Sequence, residues 1–150
     1  MKHGQIPKFG RNSKSVDMNI LFIEDDNIEQ MKLGRTVSKL QLKHQISEAK
    51  NGEEALQKLN SGEPLPDIIL LDLNMPRMSG IEFLKILKAH DTLKYLPTVI
   101  LTTSENRADL LECYKIGIAG YVIKPLKYEE YHSKLQKVLE YWEVNELVKG

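Results

Sequence analysis

The chain predicts an α/β fold built on a parallel sheet, on three observations. Apolar runs stand at Ile20 to Ile23, Ile68 to Leu71, Val99 to Leu101 and Tyr121 to Ile123, with a weaker one near His44 to Ser47. Stretches with helical apolar spacing, about 10–15 residues each, separate them as in βαβ units. The four strong runs are almost unbroken, as strands covered on both faces must be.

Each element carries its own signal. Residues 1–18 contain Gly4, Pro7 and Gly10, four Lys or Arg and no sustained period, the composition of a flexible arm. Asn19 to Ile23 opens the sheet. A helix from about Asn27 to Leu40 follows, capped by Asp26 or Asn27, with Ile28, Met31 and Leu40 expected to face the core. Asn51-Gly52 reads as a turn before a short helix, Glu53 to Leu59, which Pro64 and Pro66 separate from the next strand. A helix from about Ser79 to His90 presents Ile81, Leu84, Ile86 and Leu87, and Ser104 is the expected cap of a helix through about Ile116. The last helix runs from about Lys127 past Trp142. The domain is thus expected at 19–141, with a helical C-terminal extension at 142–150.

Right-handed crossovers leave few arrangements of five parallel strands. The flavodoxin-like (βα)5 doubly wound order 2-1-3-4-5 sets the first strand beside the third, with the switch point between them. At 150 residues the chain suits one domain with a sizeable core. Its 21 basic and 21 acidic residues balance, so overall charge argues neither for nucleic acid nor for disorder. No apolar stretch reaches membrane-span length and no signal-peptide core opens the chain, so a cytoplasmic protein without membrane contact is expected. The lone Cys113 lies in a helical stretch and reads as a packed thiol.

The chemistry gathers where the strands end. Glu24 and Asp25 follow the first strand, Asp72 the third, Thr102 the fourth, and Lys124-Pro125 the fifth. In a parallel sheet these ends share one edge, so three carboxylates, a hydroxyl and an ammonium meet in one cup. Crowded carboxylates repel one another, and a bound cation resolves the conflict. An all-oxygen ligand set suits a hard ion such as Mg²⁺, which favours phosphate oxygens. Lys124 and Thr102 can meet phosphoryl oxygens, and Asp72, ionised at neutral pH, can take a phosphoryl group as an acyl phosphate.

The stretches Ile20 to Asp26, Leu71-Asp72-Leu73-Asn74-Met75-Pro76 with Gly80 beyond, Leu101-Thr102-Thr103-Ser104 and Gly120 to Pro125 resemble the receiver domain of two-component response regulators, CheY-like proteins. The resemblance covers about Asn19 to Tyr141. It implies phosphorylation of Asp72 by a sensor histidine kinase or a histidine phosphotransfer protein. It also implies Mg²⁺ held by Glu24, Asp25, Asp72 and the main-chain carbonyl of Asn74, and a cis peptide at Lys124-Pro125. Thr102 and Tyr121 match the family's switch pair, whose movement remodels the fourth helix, fifth strand and last helix. Thr102-Thr103-Ser104 and the aromatic tail further resemble the small receivers partnered with bacterial phytochromes.

Too little sequence follows the matched region for a DNA-binding domain, so a stand-alone receiver acting through a protein partner is expected, with no direct nucleic-acid contact. Tyr128, Tyr131, Leu135, Val138 and Trp142 form a helical seam, and Tyr141, Val144, Leu147 and Val148 add to it, which suggests a homodimer through the last helix. Other readings are a receiver that binds its partner without phosphorylation, an Mg²⁺-dependent phosphatase with an Asp nucleophile, and a flavodoxin-like electron carrier. The phosphatase needs a second Asp where Asn74 stands, and Glu24-Asp25-Asp26 would repel an FMN phosphate.

Overall fold

The structure is a computed structural model and describes residues 17–148. The expectation for the arm at residues 1–16 therefore lies outside the described residues, as do residues 149–150. Five strands alternate with five α-helices: β1 (Asn19–Ile23), α1 (Asn27–Lys39), β2 (Gln45–Ala49), α2 (Gly52–Leu59), β3 (Ile68–Leu71), α3 (Gly80–Ala89), β4 (Thr98–Thr102), α4 (Arg107–Ile116), β5 (Gly120–Ile123) and α5 (Tyr128–Glu143). A 3₁₀ turn at Leu93–Tyr95 leads into β4. All strand pairs are parallel and the order is β2-β1-β3-β4-β5, the flavodoxin-like doubly wound sheet that the sequence predicts.

Strand alternation divides the core in two. Leu21, Ile23, Ile69, Leu71 and Ile100 face one side with Ala55, Leu59, Phe83, Leu84, Leu87 and Cys113 from α2, α3 and α4. Ile20, Phe22, Ile68, Leu70, Val99 and Leu101 face the other with Leu33 and Val37 of α1 and Tyr131, Leu135 and Leu139 of α5. Each face of the sheet is thereby sealed by helices, which explains the unbroken apolar runs.

Several expectations need correction. The core-facing side of α1 is not Ile28 and Met31, which are 66% and 63% exposed, but Gln30, Leu33, Thr36 and Val37. Two polar residues occupy that face through bonds to main-chain carbonyls: Gln30 Nε2 donates to the Phe22 and Glu24 carbonyls, and Thr36 Oγ1 to the Lys32 carbonyl, while Gln30 Oε1 has no partner among the described residues. Asp26 caps α1, accepting from the Ile28 amide at 2.8 Å. The cap of α4 is Asn106, whose side chain accepts from the Ala108 and Asp109 amides; Ser104 instead donates to Asp109 at 2.8 Å. Of the C-terminal helical extension expected at 142–150, only Trp142 and Glu143 are helical among the described residues, since α5 stops at Glu143. There Asn145 turns back, its amide donating to the Trp142 carbonyl and its side chain to the Tyr141 carbonyl, which satisfies the open end of the helix.

Among the described residues no peptide bond is cis, so Lys124-Pro125 is trans, contrary to expectation. The trans isomer is the lower in free energy by about 0.5–1 kcal/mol even before proline. Lys124 reaches the site from this isomer with its amide already bonded to the Thr102 carbonyl at 2.8 Å. No helix of the described residues is long and apolar enough to cross a membrane.

Candidate phosphoryl and metal site

The sheet ladder continues one residue past the strands. Glu24 N donates to the Ala49 carbonyl, Asp72 N to the Ile23 carbonyl and Lys124 N to the Thr102 carbonyl, at 2.9, 3.0 and 2.8 Å. These bonds fix Glu24, Asp72 and Lys124 along one edge beside Thr102, the last residue of β4, so the gathered side chains are a direct product of strand register.

Glu24, Asp25 and Asp72 each offer an oxygen within 4.8 Å of the others. Glu24 and Asp72 are buried while Asp25 is exposed, so the group opens to solvent on one side. The donor set is entirely carboxylate and suits a hard divalent ion that retains waters. Its electrostatics fit as well. Burial pushes the Glu24 carboxyl above its ordinary range, opposed by the hydrogen bond and charge of Lys124, and the charge of Asp72 pushes it further. Asp72 is raised for the same first reason, against the charge of Lys124, the Thr102 hydroxyl and the amides of Leu73 and Asn74. Anionic charge here exceeds what one ammonium neutralises, and a cation would relieve it.

Lys124, with only 5% of its side chain exposed, sits 2.5 Å from Glu24 Oε1, 3.5 Å from Glu29 Oε1 and 3.9 Å from Asp72 Oδ1. Burial alone would lower the pKa of its ammonium, but the Glu24 hydrogen bond and the charges of Asp72, Glu24 and Glu29 outweigh it and leave the group above its ordinary value. Thr102 is fully buried, and its Oγ1 accepts from the Ser104 amide at 3.3 Å. Tyr121 is half-buried, and its hydroxyl donates to the Ser104 carbonyl at 3.0 Å, so Thr102 and Tyr121 hold the same loop residue. Asn74 is exposed beside Asp72, and Pro125 follows Lys124 at the rim.

Two contributors escaped the sequence reading. Gln30 braces the cup from below through the Glu24 carbonyl, at 3.0 Å. Glu29 supplies a fourth carboxylate. It stands in the first turn of α1, where an acid reads from sequence as an ordinary partner of the helix dipole. Cys113 is buried and its thiol is pushed up to about 11 by burial, then by Asp109 and Glu112, as suits an inert packed group.

Fold and cup together set an acidic cluster, a buried ammonium and a hydroxyl at the carboxyl edge of a doubly wound sheet. Residues 20–136 match the family described as response regulator receiver domain, and the chain belongs to that family. It is similar to the probable methanogenesis regulatory protein FilR2 of Methanothrix harundinacea (strain 6Ac), 35% identical over 82% of each chain. Among solved structures it is similar to the phosphorylated cyanobacterial phytochrome response regulator RcpA, with TM-score 0.83 and 27% identity over 88% of this chain and 99% of that one. The Mn²⁺-bound form of response regulator Rcp1 aligns with TM-score 0.82 and 28% identity over 87% of this chain and 99% of that one. The family is one of signalling domains rather than metabolic enzymes.

Proposed function

We propose that this receiver accepts a phosphoryl group on Asp72 from a phosphohistidine donor, carried by a sensor histidine kinase or a histidine phosphotransfer protein in the cytoplasm. The observation that carries the reading is Asp72 itself, buried between a cluster of carboxylates and the Lys124 ammonium. Glu24, Asp25, Asp72 and the Asn74 carbonyl would hold Mg²⁺, which when bound supplies positive charge to the transferring phosphoryl oxygens. A carboxylate oxygen of Asp72 bonds to phosphorus as the phosphorus–nitrogen bond of the donor breaks, and the nitrogen keeps the electron pair and takes a proton. Lys124 and Thr102 then meet the phosphoryl oxygens of the mixed anhydride. The likeness to RcpA extends the reading to a phytochrome-type kinase as donor.

The output surface follows from the contacts of the Thr102 hydroxyl. Turning toward a phosphoryl group takes it from the Ser104 amide, and Ser104 also anchors Tyr121. Release of that loop would let Tyr121 turn inward and change the α4, β5 and α5 surface, where Leu111 and Tyr114 are exposed. A new dianion at Asp72 provides the difference in free energy that such a change needs.

Incubation with Mg²⁺ and phosphoramidate should raise the intact mass of the wild type by one phosphoryl group and leave Asp72→Asn unchanged. Equal mass gain in both proteins would refute the assignment.

A homodimer through α5 belongs to the same proposal. Val99, Val122, Val138, Tyr141 and Trp142 line an apolar groove of about 270 Å³ between β5 and α5, and Tyr141 is 60% exposed. We expect a dimeric mass in sedimentation at tens of micromolar, shifted toward monomer by Tyr141→Glu. A monomeric wild type with and without beryllofluoride would end this part of the reading.

A further inference from the structure

We infer that Glu29 is a positioning residue that competes with Asp72 for the Lys124 ammonium and so limits how firmly the site holds a phosphoryl group. The inference rests on the phosphoacceptor reading and concerns how that site is tuned.

Of the three carboxylates around Lys124, the two nearer ones are Glu24, just before α1, at 2.5 Å and Glu29, in the first turn of α1, at 3.5 Å. The acceptor oxygen of Asp72 is the farthest, at 3.9 Å. Glu29 Oε1 is buried and has no hydrogen-bond partner among the described residues, so the facing ammonium is what stabilises its charge. Its other oxygen takes Lys32 Nζ at 3.1 Å. Glu29 lies outside the group of carboxylates whose oxygens converge for a metal, so its influence on the site runs through Lys124.

A phosphoryl group on Asp72 draws Lys124 toward new oxygens. The contact with Glu24 is short and hydrogen-bonded, whereas the contact with Glu29 is long, so Glu29 is the partner that Lys124 leaves. The freed carboxylate then faces the site with Lys32 as its remaining cation, and that cost opposes retention of the phosphoryl group. Removing the charge removes the cost. An ordinary first-turn acid would only favour the helix dipole, and its loss would change stability without any dependence on Lys124.

The test is a double-mutant cycle on full-length protein, reading beryllofluoride affinity by calorimetry in saturating Mg²⁺. Because Glu29 is part-exposed, Glu29→Gln should tighten binding by about two- to five-fold, the range of a partly screened pair. The gain should persist at about 0.5 M salt, where long-range charge effects are screened. It should vanish in a Lys124→Met background, and Glu29→Asp should return the affinity toward wild type. Lys32→Met, which leaves Glu29 wholly to Lys124, should weaken binding, and it carries the test if Glu29→Gln does not fold. Unchanged affinity in the single variants, or the same gain with Lys124 absent, overturns the inference while phosphorylation of Asp72 stands. A wild type that neither binds beryllofluoride nor gains mass from phosphoramidate removes the phosphoacceptor reading and this inference with it.

Discussion

Gly80 opens α3 directly against the loop that carries Asp72, with its amide donating to the Leu73 carbonyl at 3.0 Å. A Cβ there would lie 2.3 Å from the Asp72 carbonyl oxygen and 2.7 Å from Leu73 Cα. Both obstacles are backbone and cannot swing aside. Alanine is the better helix former by about 1 kcal/mol, yet overpacking of this kind costs about 1–3 kcal/mol, so the clash should win. We expect Gly80→Ala to lower the denaturant midpoint and weaken Mg²⁺ binding together, because what shifts is the main chain of Asp72 and Leu73. Retained stability with normal Mg²⁺ affinity would contradict this. At this scale the site was largely legible: Glu24, Asp25, Asp72, Thr102 and Lys124 all follow apolar runs, and parallel pairing allows those ends a single edge. Glu29 was not, because it stands within a helix rather than at a strand end.

Helix α1 ends in a Schellman motif: the Leu42 amide donates to the Val37 carbonyl and the Gln41 amide to the Ser38 carbonyl, at 3.1 and 3.0 Å. The motif needs a left-handed residue, and Gln41 takes that role at φ 57°. A side chain in this conformation costs about 1 kcal/mol relative to glycine. Gln41→Gly should therefore raise the unfolding free energy by about that amount, read from urea titration, without touching the site. A loss of stability would show that the Gln41 side chain contributes more than its backbone costs. The elements differed in legibility for related reasons. β3 and β4 are buried throughout and announced themselves, whereas β2 lies at the edge of the sheet with three of its five residues exposed and only Ala49 buried. On α1 the buried polar residues Gln30 and Thr36 inverted the apparent face. The end of α5 depends on Asn145 closing back on the helix, which apolar spacing does not register.

For the molecule as a whole, two buried acids contribute to the response to alkali, alongside the raised Tyr121 phenol and Lys124 ammonium. The Cys113 thiol rises from 9.0 to about 11 through burial, and burial, followed by the charges of Glu29 and Glu24, raises the Tyr131 phenol from 10.0. A raised acid binds its proton more tightly when folded, so its contribution is complete below the unfolded pKa and is lost as pH climbs above it. Stability should hold to about pH 9 and then fall, each group removing up to about 1.4 kcal/mol per pH unit. The Tyr131 hydroxyl is buried without a hydrogen-bond partner among the described residues. Tyr131→Phe should therefore cost little at pH 7 and flatten the decline above pH 10, as followed by thermal melts across the range. A parallel decline in wild type and variant would exclude Tyr131 as a source. One contact far from Asp72 also has a geometric consequence. His44 Nδ1 accepts from the Met18 amide at 2.9 Å while Nε2 meets Glu143 at 2.8 Å, so a single imidazole staples the start of β1 to the end of α5. Among the described residues, the start of β1 and the end of α5 thus share one pole, a strand's length of about 17 Å from the acidic cup. A partner that grips this junction would leave the solvent-facing side of the acidic cup uncovered.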